Sequence, residues 1–178
     1  MKFISRRLRR ITKDGRLLLL AFDHAVEHGP HVYDAEKIDP LRIAEIAKKG
    51  RVDGLIVHVG VARFIREHYA KLPLIVKLTG RTCLTPNLVQ EIVTGFEEAL
   101  EVEPVGVAAT VYVGSQEESN MLRNLMMIKK HCYDEDIPLL AFMYPRIGGK
   151  RSYDWKHVAY AARVGAELGV DAVKTYYT

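Results

Sequence analysis

Lys174 lies in the apolar run DAVKTYYT (171–178), between Val173 and Thr175, and is the residue of this chain best suited to covalent chemistry. An ammonium among apolar side chains is costly unless it is paired or loses its proton. At a reference pKa of about 10.4, only ~0.04% of a lysine amine is free at pH 7. Burial and a nearby cation lower that value, which is how imine-forming lysines become nucleophilic. Lys77, near the end of PLIVKLTG (73–80), is the candidate second cation. The plainer reading, that Lys174 only pairs with Asp23 or another carboxylate, carries equal weight.

Asp23 opens a polar stretch, His24-Ala25-Val26-Glu27-His28-Gly29-Pro30-His31. A carboxylate with imidazoles at a strand end can orient hydroxyls or move protons. The histidine spacing would suit a metal on a helix, but Gly29-Pro30 argues for a loop, and Glu27 and His28 read as solvated there. Tyr144 in FMYPR shares a strand face with Leu140 and Phe142, so its phenol suits a proton shuttle; a half-buried wall residue is the competing reading. Ser115 and the run Gly148-Gly149-Lys150-Arg151 offer hydroxyl, cationic and backbone N–H groups fitted to phosphate oxygens, and Arg146 is a further polar residue at the strand end.

Six β-rich apolar runs would position these groups: 17–24, 53–60, 73–80, 105–114, 138–145 and 171–178. They are almost continuous in Val, Ile, Leu and Ala, as in strands covered on both faces. Segments of helical periodicity are expected over 39–49, 86–101, 117–133 and 154–168, the first opening on Asp39-Pro40. The alternation is that of a parallel sheet with crossover helices. No G-x-G-x-x-G follows the first strand, and polar residues gather at the carboxyl ends of all six, where a barrel would bring them to one mouth. The fold class expected is α/β, a (β/α)8 TIM-barrel type with only the first six strands present, as one partial domain over 1–178 whose first 16 residues are a basic leader.

The chain has 178 residues, is 48% hydrophobic and 27% charged, and carries a net charge of +4. Its mean hydropathy is −0.05. This is the composition of a globular domain, not of a disordered or fibrous chain. The run LLLLAF (17–22) is too short to span a bilayer and lacks a cleavage site for a secretory signal, so no membrane partner is expected. Cys83 and Cys132 have no metal-like spacing, which favours reduced thiols and a cytoplasmic location. The basic cluster Lys2, Arg6, Arg7, Arg9, Arg10, Lys13 and Arg16 has no interleaved aromatics, and we read it as a solvated leading segment covering one end of the fold or a neighbouring subunit, not as a nucleic-acid site.

Together AFDHAVEHGP, KLTGRT, VGVAATVYVGS, AFMYPRIGGK and AYAARVGAELGVDAVKTYYT resemble, in order, the archaeal-type class I fructose-1,6-bisphosphate aldolases. The resemblance implies that Lys174 forms an imine with the dihydroxyacetone phosphate skeleton, that Tyr144 moves the proton, and that Asp23 positions substrate hydroxyls. His24, Lys77, Ser115 and Arg146 are the candidate substrate-binding residues. It implies a phosphorylated sugar as substrate, no metal or other cofactor, and a homo-oligomer. Two residues depart from the pattern: Ala25, where relatives usually carry Gly, and Phe142, where some carry an indole. The resemblance covers about two-thirds of the family domain, so a C-terminally truncated aldolase is expected. The alternatives are an inactive remnant, a split-barrel subunit needing a complementary C-terminal chain, or a related Schiff-base enzyme such as an aminodideoxyheptulosonate synthase.

Overall fold

The computed structural model describes residues 6–9, 11–29 and 38–178. Six parallel strands form the sheet: β1 (Leu19–Ala21), β2 (Gly54–Val57), β3 (Leu74–Lys77), β6 (Gly106–Val113), β7 (Leu139–Ile147) and β9 (Ala172–Lys174). Each pairs with the next in chain order, giving β1-β2-β3-β6-β7-β9. That sequential order is the wall of a barrel of the TIM type, here an open one. All six expected strands are present, each shorter than or offset from its apolar run.

Strand alternation sorts the side chains. Leu55, Val57, Leu74, Val76, Val107, Ala109, Val111, Leu139, Ala141 and Met143 face the helices in the larger core. Ile56, Ile75, Ala108, Leu140 and Phe142 form a second cluster on the concave face. The helices over the outer face are α3 (Pro40–Lys49), α4 (Val59–His68), α6 (Glu118–Asp134) and α7 (Trp155–Glu167). Asp39 caps α3 by accepting from the Leu41 amide at 2.9 Å, and Asp154 caps α7 by accepting from the Lys156 amide at 2.8 Å. Among the described residues no helix is long and apolar enough to cross a membrane.

The fold departs from the sequence reading in three places. The expected helix over 86–101 is reduced to α5 (Phe96–Leu100), preceded by a two-residue strand, β5 (Glu91–Ile92), paired antiparallel with β4 (Thr79–Gly80). Gln90 is tied by its side chain into the concave face, and Ile92 and Val93 of the supposed apolar stripe are exposed. Helix α4 follows β2 directly, where the reading extended a strand to residue 60. The stretch after Asp23 is helical, α2 (His24–His28), not a loop, and His31 lies outside the described residues. A further two-residue strand, β8 (Lys150–Arg151), folds back on β7.

Residues 6–9 and 11–16 lie at the end of the sheet opposite the polar strand ends. Leu8 of α1 (Arg6–Arg9) is buried. Arg7 pairs at 3.2 Å with Asp171, whose other oxygen accepts from the Leu139 amide, and Lys13 pairs with Asp53 at 3.4 Å.

Gly114 ends β6 with φ +86°, and a Cβ there would stand 2.5 Å from the Arg146 carbonyl oxygen. Gly114→Ala therefore meets both an unfavourable backbone conformation and a main-chain clash. It is expected to cost about 2–4 kcal/mol, measurable by urea unfolding; an unchanged midpoint would contradict the account.

Candidate active site

The concave face is built in rows set by register. Thr110, Phe142 and Lys174 stand side by side on β6, β7 and β9, and Tyr112 and Tyr144 are partners one pleat further along. Asp23 follows β1, and α2 begins at once, so Asp23 and Glu27 lie one helical turn apart. These strand ends enclose a cavity of about 240 Å³ lined by Asp23, His24, Glu27, Tyr112, Phe142, Tyr144, Arg146, Lys174 and Tyr176, among others.

Under the cavity lies a charged network. Lys77 is fully buried, and its Nζ donates to Glu27 Oε1 at 3.0 Å and to Asp23 Oδ2 at 3.3 Å. Glu27 Oε2 accepts from Gln90 Nε2 at 2.9 Å and from the Tyr112 hydroxyl at 3.1 Å, and Gln90 Nε2 also donates to that hydroxyl. Both carboxylates are themselves nearly buried, at 12% and 13% exposure for Asp23 and Glu27, so the ion pairs are only weakly screened by water.

Lys174 Nζ stands 4.3 Å from the centroid of the Phe142 ring, and Lys77 Nζ stands 5.0 Å from the same centroid. Loss of hydration lowers the Lys174 pKa from its ordinary value; Asp23 and Glu27 oppose that, and Lys77 reinforces it. The sequence reading put this amine inside an oily wall. Among the described residues the lysine enclosed by the sheet is Lys77, while Lys174, on β9, is exposed with its amine against the Phe142 ring. An exposed edge with a desolvated tip is consistent with an amine that a ligand can reach.

Tyr144 stacks on Tyr176 at 4.8 Å between centroids, and its hydroxyl has no hydrogen-bond partner among the described residues. Burial first, and then the Asp23 charge, push its pKa well above the usual phenol value, so it is a neutral phenol at pH 7. Arg146 is buried, donates to the Tyr176 hydroxyl at 2.7 Å and lies 4.3 Å from the Tyr112 ring centroid. This leaves a guanidinium and three phenols around one rim, beside an amine and a carboxylate.

Of the residues expected from sequence, Asp23, His24, Tyr144, Arg146 and Lys174 line this cavity together. Lys77 does not line it; it lies behind Asp23 and Glu27, too enclosed to touch a ligand. Ser115 is elsewhere, in a neighbouring hollow of about 280 Å³ with Gly114, Gly148 and Gly149. Glu27, read as a solvated loop residue, is the hub of the network. The signal for it was the four-residue step from Asp23, which becomes one turn once the segment is helical. Gln90 was hidden inside a mistaken helix, and Tyr112 is found by counting in twos from Ala108. Among the described residues no three His, Cys, Asp or Glu side chains converge as metal ligands.

The model of the DeoC/LacD family aldolases matches residues 17–178. The chain is 36% identical over 96% of its length to a class 1 fructose-bisphosphate aldolase of Thermoproteus tenax, of which it spans 66%. It is 34% identical over 91% of its length to a 2-amino-4,5-dihydroxy-6-oxo-7-(phosphonooxy)heptanoate synthase of Streptomyces griseus, of which it spans 59%. Among solved structures it is similar to an archaeal fructose-1,6-bisphosphate aldolase whose catalytic lysine is bound to the carbinolamine intermediate of the substrate. There the TM-score is 0.84 at 34% identity, covering 94% of this chain and 68% of the other.

Proposed function

Since the chain belongs to the DeoC/LacD family of aldolases, we propose that its site carries out imine-forming cleavage and formation of fructose 1,6-bisphosphate. The observation that carries the reading is the Lys174 amine, its pKa lowered, facing the same 240 Å³ cavity as a neutral Tyr144 phenol and the Asp23 carboxylate.

In this reading the free Lys174 amine attacks the ketone carbon of the sugar bisphosphate, giving a carbinolamine. Loss of water leaves a protonated imine. Removal of the proton from the C4 hydroxyl then breaks the C3–C4 bond, and the bonding pair flows into the imine, which serves as the electron sink. Glyceraldehyde 3-phosphate leaves, the enamine takes a proton at C3, and water hydrolyses the imine to release dihydroxyacetone phosphate. Asp23, which holds the hydroxyls, accepts the C4 hydroxyl proton, Tyr144 gives its own proton to C3 of the enamine and regains one from Asp23, and Arg146 and His24 face the polar part of the substrate.

The test is borohydride trapping with dihydroxyacetone phosphate or fructose 1,6-bisphosphate, followed by peptide mass mapping. The expected adduct is on Lys174, and its yield rises with pH as the amine loses its proton, with a midpoint below the ordinary lysine value. An adduct on another lysine, or none at any pH, rejects the reading.

A further inference from the structure

We propose that Glu27 is a positioning residue of this site: its carboxylate holds the enclosed Lys77 ammonium against Asp23, and the Glu27–Lys77 pair fixes the charge that faces Lys174. The inference rests on Lys174 being the reacting amine.

A fully enclosed lysine with two nearly enclosed carboxylates is a poor stability device, because apolar residues of equal volume commonly serve as well or better. Its arrangement is nonetheless complete. Glu27 takes Lys77 on one oxygen and Gln90 with Tyr112 on the other. Two of those three donors come from residues with no exposure and the third from one at 5%. Helix α2 is only five residues long, so these bonds anchor the turn that carries Asp23 and His24 into the cavity. Lys77 and Lys174 face the same Phe142 ring, at 5.0 and 4.3 Å. The pair is thus coupled both to the orientation of Asp23 and to the protonation of Lys174.

With Asp23 and Glu27 ionised and Lys77 protonated, the layer beneath Lys174 carries one net negative charge. The remaining titratable and charged groups around the cavity are His24 and His28 on α2, Tyr112 on β6, Tyr144 and Arg146 on β7, Arg151 on β8, and Tyr176 beyond β9; His58, just ahead of α4, faces Lys77, Asp23 and Glu27, and burial and then Lys77 lower its pKa. Asp23 and Glu27 raise the Lys174 pKa and Lys77 lowers it, against a larger lowering from burial. Removing Glu27's charge therefore makes Lys174 give up its proton more easily, and removing Lys77's charge does the reverse. Removing both restores the single net charge.

The experiment measures the protonation of Lys174 directly, by competitive acetylation with acetic anhydride across pH and quantitation of the Lys174 peptide by mass spectrometry. Glu27→Gln is expected to lower the apparent pKa by about one pH unit, and Lys77→Met to raise it by about one. The double variant should return it close to the wild-type value although the hydrogen bonds remain broken. Absent shifts, shifts in one direction, or a double variant that keeps either single shift would overturn the proposal. If Lys77→Met does not fold, Glu27→Gln and the double variant decide the matter. The titration needs no turnover, so a wild-type chain that forms no imine would reject the proposed function while leaving this result to stand or fall separately.

Discussion

Lys174→Met is expected to lower kcat/KM for fructose 1,6-bisphosphate cleavage by at least ~10⁴-fold, since a reaction routed through an imine has no substitute once its amine is gone. Among the described residues no other amine lines the cavity. Lys77 is enclosed and bonded to two carboxylates, and the Arg146 guanidinium is not a nucleophile. The Lys174 side chain is exposed, so the substitution should change stability by no more than about 0.5 kcal/mol. Loss of activity with an unchanged unfolding midpoint, and no adduct after borohydride, is the expected set of results. Residual turnover above one-hundredth of wild type would contradict the assignment.

Tyr144→Phe is expected to reduce turnover by ~10²–10⁴-fold while leaving the borohydride adduct on Lys174 in place. The phenol lines the cavity and is kept neutral by burial and by Asp23, so it can give a proton wherever the amine is free to react. Its hydroxyl has no bonded partner among the described residues, so removing it breaks no internal hydrogen bond, and the ring can still stack on Tyr176. Loss of adduct formation in this variant would move the phenol to an earlier role, in carbinolamine breakdown. Unchanged turnover would remove it from the chemistry.

The two groups differ in how far the sequence revealed them. The strand runs around Lys174 and Tyr144 are short and apolar, so periodicity located both strands and the face on which Tyr144 stands. Periodicity does not rank strands by enclosure, and the lysine that the sheet encloses is Lys77, on β3 between β2 and β6. Glu27 was misread because a five-residue helix lacks the length to display a stripe, and Gly29-Pro30 suggested a loop. The segment 86–101 failed for a different reason. Its apolar spacing is helical, but Gln90 gains three-way bonding with Glu27 and Tyr112 by turning inward, and Gly95 separates that turn from the residual helix. Tertiary hydrogen bonds to a buried carboxylate outweighed local propensity there. The same bonding explains why the network beneath the cavity was hardest to anticipate: its members come from four separate elements.

Between Asp23, which follows β1, and Lys174, on β9, the described sheet makes five successive strand pairings. The distance between the proposed acid and amine is set by those pairings in series. A small change in twist at any one of them, added along the series, alters that distance more than it alters any local contact. Substitutions in the helix-facing core, far from substrate, should for that reason affect turnover before they affect melting.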